Sequence, residues 1–194
     1  AFAENTTIRH LVIKASGILI EDSAFYNSNI QKITFLGNNV TLGKDINGPF
    51  RSCKRLTTIE GAENLTHLYR AAFLDCTSLQ GELILSGLEE CGYYAFGNCT
   101  LLKKVFLPAI ESKSNSFENC SDLTVYTAST DPAEISRLSR YGAKVIPGSG
   151  CDIWSLNEQK HALIKDTNDT HYSILVVDEM PSVIDNNVIY IVKA

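Results

Sequence analysis

The stretch AFGNC, Ala95–Cys99, sets a phenylalanine, an asparagine and a cysteine together with no evident chemical purpose. AFLDC, Ala72–Cys76, precedes it, and SFENC, Ser116–Cys120, follows it. Working outward, the phenylalanines of the motif are Phe2, Phe25, Phe50, Phe73, Phe96 and Phe117, at gaps of 23, 25, 23, 23 and 21 residues. Three residues after each come Asn5, Ser28, Cys53, Cys76, Cys99 and Cys120. Six residues after come Ile8, Leu56, Leu79, Leu102 and Leu123; the second copy is one residue short and uses Ile30.

An alternating apolar pair follows in each unit: Leu11/Ile13, Ile33/Phe35, Leu83/Leu85 and Val105/Leu107, with Ile59 and then Gly61 in the third. A second apolar cluster precedes the next phenylalanine: Ile18/Ile20, Val40/Leu42, Leu65/Leu68 and Leu88/Cys91. A unit of about 23 residues cannot bury its own apolar face, so stacked neighbours must share one core, as in a solenoid. The alternating pair marks a short strand with two side chains inward and the residue between them outward. Phe25, Phe50, Phe73, Phe96 and Phe117, with Cys53, Cys76, Cys99 and Cys120, are then inward columns, one rung per coil.

The stretch AFLDCTSLQGELILSGLEECGYYAFGNCTLLKKVFLPAIESKSNSFENCSDLTVY, Ala72–Tyr126, resembles the BspA-type leucine-rich repeats of bacterial surface proteins. Looser copies carry the resemblance back to Ala1 and on to Pro147. It implies an α/β repeat fold: a right-handed leucine-rich-repeat solenoid with a short parallel sheet on one face and irregular or short helical segments on the other. The 25-residue unit around Asn38–Pro49 and the short unit at Glu111–Phe117 predict local bulges.

After Tyr126 the pattern changes. Asp131 as N-cap, Pro132 at the first helical position and Glu134 as the N3 acid of a capping box predict a helix over Pro132–Tyr141. A strand at Ala143–Ile146 would complete a helix–strand cap on the array. PGSG, Pro147–Gly150, reads as a turn, so a repeat domain of residues 1–147 is expected to precede a small, mostly β segment of residues 148–194. In that segment HYSILVVDEMP and NNVIYIVKA read as strands, and DIWSLNEQKHALIK as strands about a turn at Asn157-Glu158. Its end, EMPSVIDNNVIYIV, resembles a short segment of phage tail and virion proteins. Ala1-Phe2 opens inside a recurring motif, so the chain is expected to be a fragment or a processed product.

The net charge of −5 and the lack of basic runs exclude a nucleic-acid footprint. No apolar stretch approaches the ~20 residues of a membrane span. The cysteines of the array lie 21–23 residues apart, without the C-x2-4-C pairs of structural zinc, so packing is favoured over a metal site or disulfides. Asn5 and Ser28 fill the same slot without a thiol, which favours packing further. Cys151 with His161 or His171 is the one conceivable nucleophile–base set, and no nucleotide, hydrolase or metalloprotease motif is present. Glu89-Glu90 and Asp178-Glu179 are sequence neighbours that a strand would turn to opposite sides. Sequons occur at Asn5, Asn39, Asn64, Asn98, Asn119 and Asn168; those at Asn98 and Asn119 are by-products of the repeat's N-C-T/S text, and glycosylation is not expected. No cofactor is implied and no enzyme activity is expected.

The function is therefore expected on the outward face of the strands. Its residues are Val12, Thr34, Glu60, Ile84 and Phe106, flanked by His10, Lys32, Thr58, Glu82 and Lys104. Exposed apolar residues on a rigid sheet serve as contact anchors. The resemblance implies an adhesin-like binding module, secreted or at the cell surface, with a protein or cell-surface ligand; the C-terminal segment, marginal alone, is expected to dock on the array or on another chain, which allows self-association. The alternative is a phage tail or virion component in receptor binding or assembly.

Overall fold

The computed structural model describes residues 2–113 and 115–148, and the backbone of residues 161–165, 171–177 and 188–192. In the array the strands are His10–Ile13 (β1), Leu19–Ile20 (β2), Lys32–Phe35 (β3), Val40–Leu42 (β4), Thr58–Glu60 (β5), Leu65–Leu68 (β6), Gly81–Ile84 (β7), Glu90–Cys91 (β8), Leu102–Leu107 (β9) and Thr124–Thr127 (β10). A helix, Pro132–Ser139 (α1), and a strand, Lys144–Pro147 (β11), follow. All pairings in the array are parallel, each strand bonding to its equivalent one coil away. The chain is a leucine-rich-repeat solenoid of about six coils.

A coil has three sides: the Phe–Cys turn, a first strand and a second strand. The second strands form their own sheet, β2-β4-β6-β8, which Ser112 extends through a single bridge to Cys91. This corrects the expectation of irregular or helical segments there. Two to four residues per strand are too few to show an alternating pattern; stacking of similar coils aligns them instead. Their inward residues, Val40, Leu42, Leu65, Leu68 and Cys91, are wholly buried.

The first side is not one sheet but two, β1-β3-β5 and β7-β9-β10-β11. The break lies at the third coil, where β5 ends at Glu60 and Gly61, at the position that Phe35 fills one coil earlier, has φ 70°. A Cβ there would lie 2.0 Å from the Phe35 carbonyl oxygen, so only glycine fits. The backbone turns into a single helical turn, Ala62–Asn64, and the Asn64 amide donates to the Phe35 carbonyl at 2.9 Å in place of a strand partner.

The phenylalanine rings stack without interruption from Phe2 to Phe117, with centroids 5.2–5.5 Å apart and planes within 14°. The residue two after each phenylalanine is left-handed: Glu4, Asn27, Ser52, Asp75, Asn98 and Asn119 have φ of 52–63°. Asparagine and aspartate tolerate that conformation best, which explains the N or D of AFGNC, AFLDC and SFENC. Each phenylalanine carbonyl closes the turn by accepting the N–H three residues on, as in Cys99 to Phe96 at 3.1 Å.

The 25-residue unit spends its extra residues on the loop Gly43–Pro49. Asp22 of the preceding coil holds that loop, accepting from the N–H of Lys44 (2.9 Å), Ile46 (3.2 Å) and Asp45 (3.3 Å). Partial burial alone would raise the Asp22 pKa, but these backbone donors, with Asn47, bring it below the usual carboxylate value. Asp22→Ala is expected to cost about 1–2 kcal/mol at pH 7, since several hydrogen bonds to a charged group are lost. A lowered folded pKa means the contribution exists above the ordinary carboxylate pKa of about 4 and fades as pH falls through the folded value. Urea unfolding of both proteins at pH 7 and pH 3 checks this: the gap between them narrows in acid.

The helix begins where its sequence places it. Asp131 caps it, accepting from the Ala133 N–H at 3.0 Å, and Pro132 opens it. It ends at Ser139 rather than Tyr141, and β11 starts one residue later than expected. Glu134 does not close a capping box. Its buried carboxylate crosses to the array, accepting from the Ser112 N–H at 3.1 Å and the Ser112 hydroxyl at 2.5 Å, and Arg137 holds it at 2.9 Å. Burying a carboxylate demands such a full partner set, and an exposed return to Asp131 would leave Ser112 unpaired at the end of the second sheet. Pairing of β11 with β10, and burial of Leu138 and Ala143, seal the core.

Beyond the cap, His161–Lys165 (β12), His171–Val177 (β13) and Val188–Val192 (β14) form a separate sheet in the order β12-β13-β14. The first pair is antiparallel and the second parallel. The expected turn at Asn157-Glu158 lies outside the described residues.

Candidate binding surface of the solenoid

The first-side strands turn alternate residues away from the core. One row runs His10, Lys32 and Thr58, then Glu82, Lys104, Thr124 and Lys144 after the break. The next runs Val12, Thr34 and Glu60, then Ile84, Phe106, Tyr126 and Ile146. The break between β5 and β7 divides the single face expected from the repeat into two patches of different chemistry.

The first patch is polar and cross-linked. The Lys32 ammonium pairs with Glu60, which also accepts from the Thr34 hydroxyl at 3.0 Å. The Lys32 hydrogen bond first, and Thr34 second, hold the Glu60 carboxyl below its ordinary value. Val12 stands 51% exposed beside them.

The second patch is apolar along one row and charged along the other. Phe106 and Tyr126 stack with centroids 4.8 Å apart and planes 11° from parallel. Ile84 and Ile146 flank them in register. Beside this row Lys104 pairs with Glu82 at 2.7 Å, which raises the Lys104 pKa. Exposed pairs of this kind add little stability, but they fix the side chains of a rim. Tyr126 and Ile146 fall outside the row expected from the sequence, because the repeat pattern of the text changes after Tyr126. The alternation of β9 continues through TVYT and KVIP, and extending the strand register by two rungs would have found both.

The cysteines face the other way. Cys53, Cys76, Cys91, Cys99 and Cys120 are free thiols in the core. Four of them form a donor ladder, each S–H donating to the phenylalanine carbonyl of the preceding coil: Cys53 to Phe25 at 3.1 Å, Cys76 to Phe50 at 3.2 Å, Cys99 to Phe73 at 3.3 Å and Cys120 to Phe96 at 3.1 Å. Ser28, in the same column, lies 3.3 Å from the Cys53 sulfur. Desolvation pushes every one of these thiols upward, Cys91 to about 12 and Cys120 to about 11, and Cys76 and Cys99 well above the ordinary value. A thiol so held is protonated at neutral pH and is no nucleophile. Among the described residues no group of three His, Cys, Asp or Glu side chains converges to hold a metal ion. Glu89 lies 3.7 Å from His67 rather than acting with Glu90. Cys151, Asp178 and Glu179, and the side chains of His161 and His171, lie outside the described residues.

Parallel coils with inward Phe, Cys and Leu columns and outward strand rows define a leucine-rich-repeat scaffold. The family model described as BspA type leucine rich repeat region matches residues 1–124 in six copies. The chain belongs to this family. Its members are commonly surface repeat proteins of bacteria, engaged in protein–protein interaction, and the scaffold is generally non-enzymatic. No curated protein and no solved structure matches the chain significantly. Among the described residues no helix is long and apolar enough to cross a membrane.

Proposed function

We propose that the protein is a non-enzymatic, adhesin-like recognition module of a secreted or surface-displayed bacterial protein, and that it binds a protein or cell-surface ligand through the second patch. The observation that carries this reading is the row Ile84, Phe106, Tyr126 and Ile146, held rigid by a four-stranded sheet and rimmed by the Glu82–Lys104 pair. Aromatic side chains on a fixed backbone lose little entropy on contact and bury much area, the usual makeup of an interface anchor. The polar first patch, with His10, Lys32, Thr34, Thr58 and Glu60, would act as the rim that orients the partner. The virion alternative draws on residues 179–192 alone, mostly outside the described residues.

Binding of the purified chain to immobilised extracellular-matrix proteins and to whole host cells tests this. Phe106→Ser with Tyr126→Ser is expected to weaken any such binding by at least about 10-fold, the scale of one hot-spot side chain. Lys32→Ala is expected to change it less than about threefold, as rim charges do. Undiminished binding by the double variant removes the second patch from the interface, and an absence of binding to every surface tried removes the adhesin reading.

A further inference from the structure

A concavity lies on the turn side, away from both strand rows. It is a groove of about 410 Å³ between the Phe–Cys turns of neighbouring coils, of a size that holds a small ligand. Two guanidinium groups line it, Arg51 and Arg70. Among the described residues neither makes an ion pair. Arg51 gives one terminal nitrogen to the neutral Asn47 side chain at 3.1 Å, and its buried Nε–H has no acceptor. Arg70 lies over the Tyr94 ring, 5.7 Å from its centroid. A buried N–H on a charged group without an acceptor is costly to leave unmade, and an Arg fork is matched by a planar carboxylate.

The rest of the lining has the opposite character. Asp75 and Glu118 also line the groove, and the Asn98 amide donates to the Asp75 carboxylate at 2.6 Å. These acceptors would repel a ligand that is acidic throughout and would accept from hydroxyl groups. We propose that this groove binds a carboxylated sugar, with the carboxylate on Arg51 and Arg70 and ring hydroxyls donating to Asp75 and Glu118. One negative charge and several O–H donors on one ring match both halves of the lining; an acidic peptide satisfies the first and is repelled by the second. The site is separate from the strand-face interface and does not depend on it.

Isothermal titration of the chain with glucuronate, with glucose and with a hexaglutamate peptide tests the assignment. Glucuronate is expected to bind in the micromolar to millimolar range and glucose at least about 10-fold more weakly, since it lacks the anion. Arg51→Gln is expected to weaken glucuronate at least about 10-fold, and Arg70→Lys, which keeps the charge but loses the fork, by a smaller factor. Both variants should melt within a few degrees of the parent, because neither guanidinium is paired to a carboxylate; Arg70→Lys keeps the test valid should Arg51→Gln unfold. The proposal is overturned by tighter binding of hexaglutamate than of glucuronate, by equal binding of glucose, by no binding of any of the three, or by variants that bind as the parent does.

Discussion

Raising the pH from 8 to 10 in the presence of a reductant is expected to unfold the array in a steep transition. The five described core thiols all have folded pKa values above their ordinary one, because burial disfavours the thiolate. A group whose folded pKa is raised contributes stability that is complete below its unfolded pKa, here about 8.5, and that is lost as pH climbs toward the folded value. The unfolded chain releases those protons first, so it binds fewer of them, and stability must fall with pH. Each thiol contributes a slope of up to about 1.4 kcal/mol per pH unit. The five together approach about 7 kcal/mol per unit, comparable with the 5–15 kcal/mol that holds a whole domain. The window runs from about 8.5 to the folded values near 11 and 12 of Cys120 and Cys91. Urea midpoints measured from pH 7.5 to 9.5, below most tyrosine and lysine ionisation, give the slope. Cys76→Ser with Cys99→Ser should flatten it by about two-fifths, since serine keeps a donor in the slot that Ser28 already fills and does not ionise. A stability that stays flat to pH 9.5 would show that the thiols are not in the core.

Removing one central ring is the second large effect. Phe73 is wholly buried and stacks on Phe50 and on Phe96, each with centroids 5.4 Å away. Phe73→Ala is expected to cost about 3–5 kcal/mol, the transfer of the ring plus the cavity it leaves. Coils of a solenoid touch only their neighbours, so the loss falls on two adjoining interfaces and weakens the coupling between the halves of the array. Denaturant unfolding followed by circular dichroism should therefore broaden or split, beyond a simple shift of midpoint. Phe2→Ala is the control. Phe2 is 55% exposed and has one stacking neighbour, Phe25, so its loss should cost under about 1.5 kcal/mol. Equal costs at the two positions would mean that the stack does not act as a column.

The interior of the array was open to reading because its rules are local and repeated. Ile33, Leu83 and Val105 are apolar at every second residue of a strand, and a 23-residue period brings them into one column. The cap was readable for the same reason: Asp131 and Pro132 carry a helix start within two residues. Glu134 obeyed the same local rule and escaped it, because Ser112, 22 residues earlier, offers it two hydrogen bonds in the core. The binding face was half readable. Ile84 and Phe106 follow from alternation, whereas their separation from Glu60 depends on the Gly61 turn and the Asn64 side chain reaching Phe35.

By itself the sequence determined the coil length, the inward columns, the family and the place where the array is capped, since each follows from spacing along the chain. Only the tertiary structure decided what happens between coils. The second sheet, the thiols donating to the phenylalanine carbonyls and the pair of unmatched guanidiniums in the turn groove all join residues 19–28 positions apart. Which atom of one coil meets which atom of the next is set by the rise and register of the stack, and no stretch of neighbouring residues records it.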